Sequence, residues 1–324
     1  MRRMSEGPAG IYAAVDLGTN NCRLLVAEPE AGGFRVVDSF SRIVRLGEGL
    51  GASGALSEAA MARTIEALRV CAAKMRRRGV TRARHVATEA CRIAANGGEF
   101  LARVAAETGL AVEIIDPREE ASLAVAGCAP LFDRAVPRAL LFDIGGGSTE
   151  IAWLEIGRAT AILDVVSLPF GVVNMAERHG GRAITRAGYD AIVAEIAGAL
   201  AEFETRHDIA ARVAAGEVQM VGTSGTVTTL AGIRMALARY DRSRVDGTYL
   251  ELVDAWAIAE RLLAMSHQER VAQPCILEAR ADFVVPGAAI LGGICAPWPV
   301  RRLRVADRGL REGILLALMA GDGA

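Results

Sequence analysis

Apolar residues recur along this chain at two spacings, and the switching between them divides it into strands and helices. "IYAAVDL" (residues 11–17) and "RLLVAE" (23–28) are short apolar runs joined by a tight polar turn, the pattern of two paired strands, and "FRVVDSF" (34–40) extends the same sheet. From Ser57 the period changes. Met61, Ile65, Leu68, Ala72 and Met75 recur every three or four residues and Gly79 follows a final basic turn, which predicts an amphipathic helix. "RHVATEA" (84–90) and "AVEIID" (111–116) predict further strands around a helix near 98–108, and another helix begins near Glu119. This succession predicts an α/β domain.

A second round starts at Arg138, after a connecting segment marked by Pro137. "ALLFDIG", "EIAWLEI" and "ATAILDVVSL" predict three strands; helices follow at about 185–207, a strand at 217–222, a helix from about 226, and mostly helical sequence to 296. A last strand, "RRLRVAD", precedes the helix "LREGILLALMA". When "AAVDLGTNNCRLLVAE" is set over "LLFDIGGGSTEIAWLE", Asp16 falls on Asp143 and Gly18 on Gly145, with an apolar strand on each side in both. An internal duplication of this kind predicts two domains of like fold facing each other across a cleft, where small ligands usually bind. The division expected is 1–134 and 135–307, with the helix at about 308–324 packing back on the first domain.

Composition narrows the function more by exclusion than by suggestion. The chain has 324 residues, and its 37 basic and 38 acidic side chains leave a net charge of -1, so no global field draws it to nucleic acid or to an acidic membrane. A polyanion site has to be local. The segment "MRRMSEGPAG" has charge but no apolar core, which argues against a secretory signal, and apolar runs such as "GAAILGGICAPW" fall short of the roughly 20 residues of a membrane helix. A cytoplasmic protein is expected. Six cysteines are scattered without a C-x-x-C pair and the four histidines lie far apart, so buried free thiols are expected in place of a zinc site.

Three glycines in a row, Gly145, Gly146 and Gly147, followed by Ser148, exceed what a simple hairpin requires. Without Cβ atoms they let an anion reach main-chain N–H groups, although a structural hairpin would also accept them. Asp16 and Asp143 each end an apolar strand beside such a turn. Either each caps its own turn, or a cation lies between them, with Mg²⁺ favoured because it takes carboxylates, waters and phosphates together. "VGTSGTVTTLAG" supplies a third loop, Gly222, Thr223, Ser224 and Gly225, where a strand enters and a helix leaves; such a helix start suits an anion or an ordinary cap. No G-x-x-x-x-G-K-[ST] occurs, which excludes a P-loop. Glu119 and Glu120 open a predicted helix, where both would favour its dipole and only one could face a cleft. Arg42, Arg45 and Arg92 sit beside loops or strand ends, better placed for phosphate than the helix-end run Arg76 to Arg78.

These segments resemble the actin and sugar-kinase superfamily, with its two duplicated ribonuclease H-like domains. More specifically, "AAVDLGTNNCRLL", "RIVRLGEGLGASGALSEAAM", "VATEACR", "VEIIDPREEASLAVAG", "LLFDIGGGSTEI", "SLPFGVVNMAE", "VGTSGTVTTLA", "RADFVVPGAAIL" and "GLREGIL" are similar, in order, to the exopolyphosphatase and guanosine pentaphosphate phosphohydrolase family. The resemblance implies removal of terminal phosphate from polyphosphate, or of the 5′ γ-phosphate from pppGpp, with Mg²⁺ or a related cation. It implies Glu120 as the base that activates water, and Asp143, Asp16 and Glu150 near the metal. It matches Gly145, Gly146, Gly147 and Ser148 to the family's phosphate cradle, and with the loops and arginines read above the expected phosphate contacts are these and Gly18, Thr19, Asn20, Gly222, Thr223, Ser224, Gly225, Arg45 and Arg92. A homodimer is common for such folds. The chain departs from the family pattern at Asn21, which lacks the usual hydroxyl, and at Ser122, where arginine is usual. It resembles the short, two-domain form. A sensor without turnover and a kinase of the same superfamily are the rival readings.

Overall fold

The computed structural model describes residues 10–322; the N-terminal segment read above for a leader lies outside them except for Gly10. Two sheets form. The first has the order β3-β2-β1-β4-β5, built from β1 (Tyr12–Leu17), β2 (Asn21–Glu30), β3 (Gly33–Ile43), β4 (Arg82–Ala87) and β5 (Glu113–Ile114). The second has the order β10-β11-β9-β6-β7-β8, from β6 (Arg138–Ile144), β7 (Thr149–Ile156), β8 (Thr160–Leu168), β9 (Val218–Thr223), β10 (Tyr249–Glu251) and β11 (Arg302–Ala306).

The duplication holds at the level of hydrogen-bond register. In each sheet an antiparallel three-strand meander (β1-β2-β3, β6-β7-β8) is followed outward by parallel strands (β4 then β5, β9 then β11). Asp16 pairs with Arg23 as Asp143 pairs with Glu150. The two turns close alike, Gly18 N to Asn21 O at 2.9 Å and Gly145 N to Ser148 O at 2.9 Å. Even the register shift recurs at equivalent places, Val26/Ala27 and Trp153/Leu154. The second sheet adds β10 at its edge, inside a stretch whose sequence predicts helix; three residues are too few for a two-residue alternation to be read. The strand expected over 111–116 shrinks to two residues, and the helix expected over 185–207 is two, Arg186–Ala199 and Ala201–His207.

Two compact units contain these sheets. One runs up to Asp116 and takes back the chain from Leu310; the other is Pro117–Gly309. The first unit holds α1 (Glu58–Arg78), α2 (Gly97–Thr108) and, in the order of the chain, the last helix, while the second holds α3 (Pro117–Cys128), α4 (Gly225–Arg234) and α5 (Val284–Cys295). The last helix, α6 (Leu310–Asp322), packs on β1, β2 and β4. The unit boundary thus falls ahead of α3, not after it as the sequence division at 134 had it. The reason is packing: Ala124, Val125 and Cys128 of α3 bury against Leu141, Ala152 and Leu154 of the second sheet. All six cysteines are buried and free, and among the described residues no helix is long and apolar enough to cross a membrane.

In the first unit, α1 begins at Ser57, whose side chain accepts from Ala60 N at 3.3 Å, and stops at Gly79 with φ 67°. The capping serine satisfies an N–H that the helix itself leaves open, and glycine takes the left-handed conformation without a Cβ penalty. Its basic last turn is not merely solvated. Asp38 on β3 accepts from Lys74 Nζ (2.7 Å), Arg78 Nε (2.9 Å) and Arg77 Nη2 (3.3 Å), and these partners hold its carboxyl well below the usual carboxylate range. A folded pKa below the unfolded one stabilises above the unfolded value and is lost as pH falls. Asp38→Asn should therefore lower the denaturation midpoint at pH 7, and the gap from wild type should close as the pH drops below the ordinary value of 3.8. A gap that stayed constant between pH 7 and pH 3 would show that the ion cluster contributes nothing.

Candidate active site

The glycine turn between β6 and β7 is held from behind by the chain that follows β8. Val172 N donates to Gly145 O (3.0 Å), Val173 N to Gly146 O (2.8 Å) and Asn174 Nδ2 to Gly147 O (2.7 Å). In a planar trans peptide the next N–H points opposite to the C=O. Anchoring these three carbonyls to the helix Val172–Arg178 therefore aims the N–H groups of Gly146, Gly147 and Ser148 away from it, a concave row suited to an anion. The approach is close enough to require glycine at 171 as well, since a Cβ there would lie 2.3 Å from Gly146 C and O.

The third loop lies beside this turn. β6 and β9 are parallel neighbours with Asp143 level with Thr223, and Ser224 Oγ donates to Ile144 O at 2.6 Å. Ser224 has φ 79° and ψ -173°, a region almost reserved for glycine, so a serine there stores of the order of 1–3 kcal/mol of strain. After it, Gly225 opens α4 with unpaired N–H groups at the positive end of its dipole. Thr223 Oγ1 donates to Arg308 O (2.6 Å), which ties the loop to the segment after β11.

Two carboxylates share one rung of this sheet. Asp143 and Glu150 are direct antiparallel partners, and two-residue alternation puts them, with Thr223, on the face where Leu141, Ala152 and Val221 meet α3. Side chains so paired start about 4.5–5.5 Å apart at Cβ, and like charges there repel. Ser167 Oγ donates to Glu150 Oε1 (2.9 Å). Oxygen donors in this arrangement fit a hard divalent cation. Among the described residues no group of three or more His, Cys, Asp and Glu side chains could hold a metal by itself, so such an ion would complete its shell with water and phosphate oxygens. Glu119 and Glu120 lie in the first turn of α3. α3 buries Ala121, Leu123, Ala124, Val125, Gly127 and Cys128; at about 100° per residue Glu120 falls within that arc and Glu119 at its edge, one turn before Leu123, and both are half-buried. Ser122 Oγ is spent on Arg118 O in its own helix (2.7 Å).

In the first unit, the turn of Gly18, Thr19 and Asn20 is latched by the segment that carries Arg45. Asn20 O accepts from Val44 N (2.9 Å) and Arg45 N (3.1 Å), and Thr19 O from Gly47 N (2.9 Å). Arg45 takes a left-handed φ of 49° to make that contact. The buried Oδ1 atoms of Asn20 and Asn21 find no partner there. Asp16 faces α6, where burial pushes its carboxyl up, Arg23 and Arg311 pull it back, and Glu312 adds to the rise. Arg92 spends Nε and Nη2 on Glu89 Oε2 (3.2 and 2.7 Å) and Nη1 on Ile115 O (2.6 Å), while Arg42 stacks 5.2 Å from the Phe40 ring centroid.

The model of the Ppx/GppA phosphatase family matches residues 25–321, most of the chain. The chain belongs to that family. A crystal structure of an exopolyphosphatase-like protein is 28% identical, with a TM-score of 0.89 and 98% of this chain and 100% of that one covered. The Aquifex aeolicus member of the Ppx/GppA family is also 28% identical, with a TM-score of 0.77 over 98% of this chain and 100% of the other. An exopolyphosphatase from Cytophaga hutchinsonii shares the fold at 24% identity, a TM-score of 0.86 and coverage of 96% and 98%.

In this Ppx/GppA chain the second unit alone brings together Glu120's helix, Asp143, Glu150, Gly145 to Ser148 and Gly222 to Gly225, whereas Asp16, Gly18 to Asn20, Arg45 and Arg92 belong to the first. Sequence reasoning passed over two residues of the site. Gly171 was visible only as a glycine before a helix in "LPFGVVNMAE". Arg280, in "RADFVVPGAAIL", brings its Nη1 to 3.4 Å from where a Cβ on Gly225 would sit.

Proposed function

We propose that this chain is an exopolyphosphatase: it hydrolyses the terminal phosphoanhydride of inorganic polyphosphate and releases orthophosphate. The observation that carries the reading is the meeting, at one end of the second sheet, of two backbone N–H cradles with the paired carboxylates Asp143 and Glu150. The family membership and the exopolyphosphatase-like relative support the same substrate class. Phosphoryl transfer asks mainly for positioning and charge neutralisation. The N–H groups of Gly146, Gly147 and Ser148 hold the terminal phosphate, and those at the start of α4 hold its neighbour. Arg280 adds a fixed cation at Gly225. Glu120 accepts the proton of the attacking water on a carboxylate oxygen. Asp143 and Glu150 would hold a Mg²⁺ ion, which would supply charge neutralisation when bound.

The test is phosphate release by the purified protein with Mg²⁺, comparing polyphosphate with pppGpp at matched concentrations of chain ends. Release should come chiefly from polyphosphate. Release chiefly from pppGpp would make the chain a pppGpp 5′-phosphohydrolase giving ppGpp. Binding without release would make it a sensor, and ADP formed from ATP with a sugar acceptor would make it a kinase.

A further inference from the structure

Arg280 reaches the third loop from a short turn. It ends a single 3-10 turn, Glu278–Arg280, with Arg280 N donating to Leu277 O (2.7 Å) and Phe283 N to Arg280 O (2.9 Å). Leu277, which opens that turn, is 60% exposed and contributes little packing. A side chain that must meet phosphate with a defined geometry gains from being fixed in advance, because the ordering is then not charged against binding.

Two residues further on, one carboxylate supplies that fixing. Asp282 Oδ1 lies 2.9 Å from His267 Nε2 and 3.2 Å from Arg182 Nε, contacts of charge proximity without hydrogen-bond geometry at that oxygen, and the side chain is 14% exposed. His267 opens the short helix before the turn, and Arg182 belongs to a separate 3-10 turn, Gly181–Ala183. Arg270, only 3% exposed, closes the cluster by donating to the carbonyls of Arg182 and Leu262, with Asp282 as the nearby countercharge. Immediately after Asp282, α5 begins and packs against α4, so closely that a Cβ at Gly287 would lie 2.5 Å from Thr226 Oγ1. The cluster thus lies at the join between the turn that carries Arg280 and α5.

We infer that Asp282 is a positioning residue for substrate phosphate: placed within ion-pair distance of His267 and Arg182, it holds the Glu278–Arg280 turn so that Arg280 presents its guanidinium at the start of α4. The inference rests on the reading of this site as a phosphate site. The alternative it has to beat is that Asp282 only neutralises the buried Arg270.

A double-mutant cycle separates the two, with inorganic phosphate affinity by calorimetry and polyphosphate hydrolysis as parallel readouts. Asp282→Asn should lower kcat/KM about tenfold, mostly through KM, the signature of lost ground-state and transition-state binding alike. In an Arg280→Ala background the same change should add nothing, because its only route to the substrate is gone. Asp282→Glu should recover part of the loss, and His267→Ala should reproduce the pattern at smaller amplitude should Asp282→Asn fail to fold. An equal effect of Asp282→Asn in both backgrounds would overturn the inference, as would wild-type protein that binds no phosphate. Wild type that binds phosphate without hydrolysing polyphosphate would sink the proposed function alone, and the cycle on phosphate affinity would still decide the role of Asp282.

Discussion

Glu120→Gln should abolish phosphate release from polyphosphate while leaving polyphosphate binding intact. A general base contributes about 10²–10⁴-fold to rate, and an amide of the same shape cannot take the proton. Binding should not suffer, because the substituted side chain carries no negative charge to repel a polyanion; affinity should stay the same or rise. Glu119→Gln is the matched control. Its side chain shares the helix turn and the favourable dipole position with Glu120, but points about 100° away from it, at the edge of the packed arc beside Leu123. If the base is Glu120, Glu119→Gln should retain turnover within a few-fold. Turnover lost in Glu119→Gln and kept in Glu120→Gln would move the base to its neighbour. Both variants losing turnover together with stability would mean that the acidic turn serves the helix and not the chemistry.

The parts of this fold that the sequence announces are those set by local periodicity. A strand of alternating residues and a glycine-rich turn are written in adjacent positions, so the duplication, the register of Asp16 on Asp143 and the caps Ser57 and Gly79 could be read directly. What could not be read depends on partners far along the chain. Asp38 looks like any acidic strand residue until α1 brings Lys74 and Arg78 to it, and the basic turn of α1 reads as solvated for the same reason. α3 follows the first sheet in sequence, yet its apolar stripe matches the second sheet, and only contacts decide which sheet buries it. Ser224 obeys the rules of a helix cap by composition, whereas its φ of 79° is visible only in the backbone. The family resemblance supplied the role of Glu120, which composition alone gave to the helix dipole. It did not supply Gly171 or Asp282, since both act through another segment.

Gly171→Ala should disable the site almost as thoroughly as loss of the base, though for a steric reason. Gly171 has φ -121° and ψ 171°, an extended conformation that alanine adopts freely, so no backbone strain is involved. The obstacle is the added methyl group, which would lie 2.3 Å from Gly146 C and O and 2.4 Å from Gly147 N. Those are backbone atoms, and no side-chain rotation can move them aside. Either the turn Gly145–Ser148 shifts or the start of the Val172–Arg178 helix does, and the three carbonyl anchors of the turn connect the two. A displacement of about 1 Å is enough to cost on the order of 10²-fold in rate when it misplaces groups that position the substrate. Overpacking against a rigid backbone should also remove about 1–3 kcal/mol of stability. Gly157→Ala is the control: it lies in the β7–β8 turn, its added Cβ meets nothing nearer than Ala159 O at 3.6 Å, and such a surface change should stay within about 0.5 kcal/mol. The measurements are phosphate affinity, phosphate release and the thermal midpoint of both variants. Gly171→Ala with wild-type phosphate affinity would show that the Gly146 and Gly147 N–H groups are not the cradle. Weak phosphate binding in a variant that still melts cooperatively would tie the loss to the geometry of this one turn.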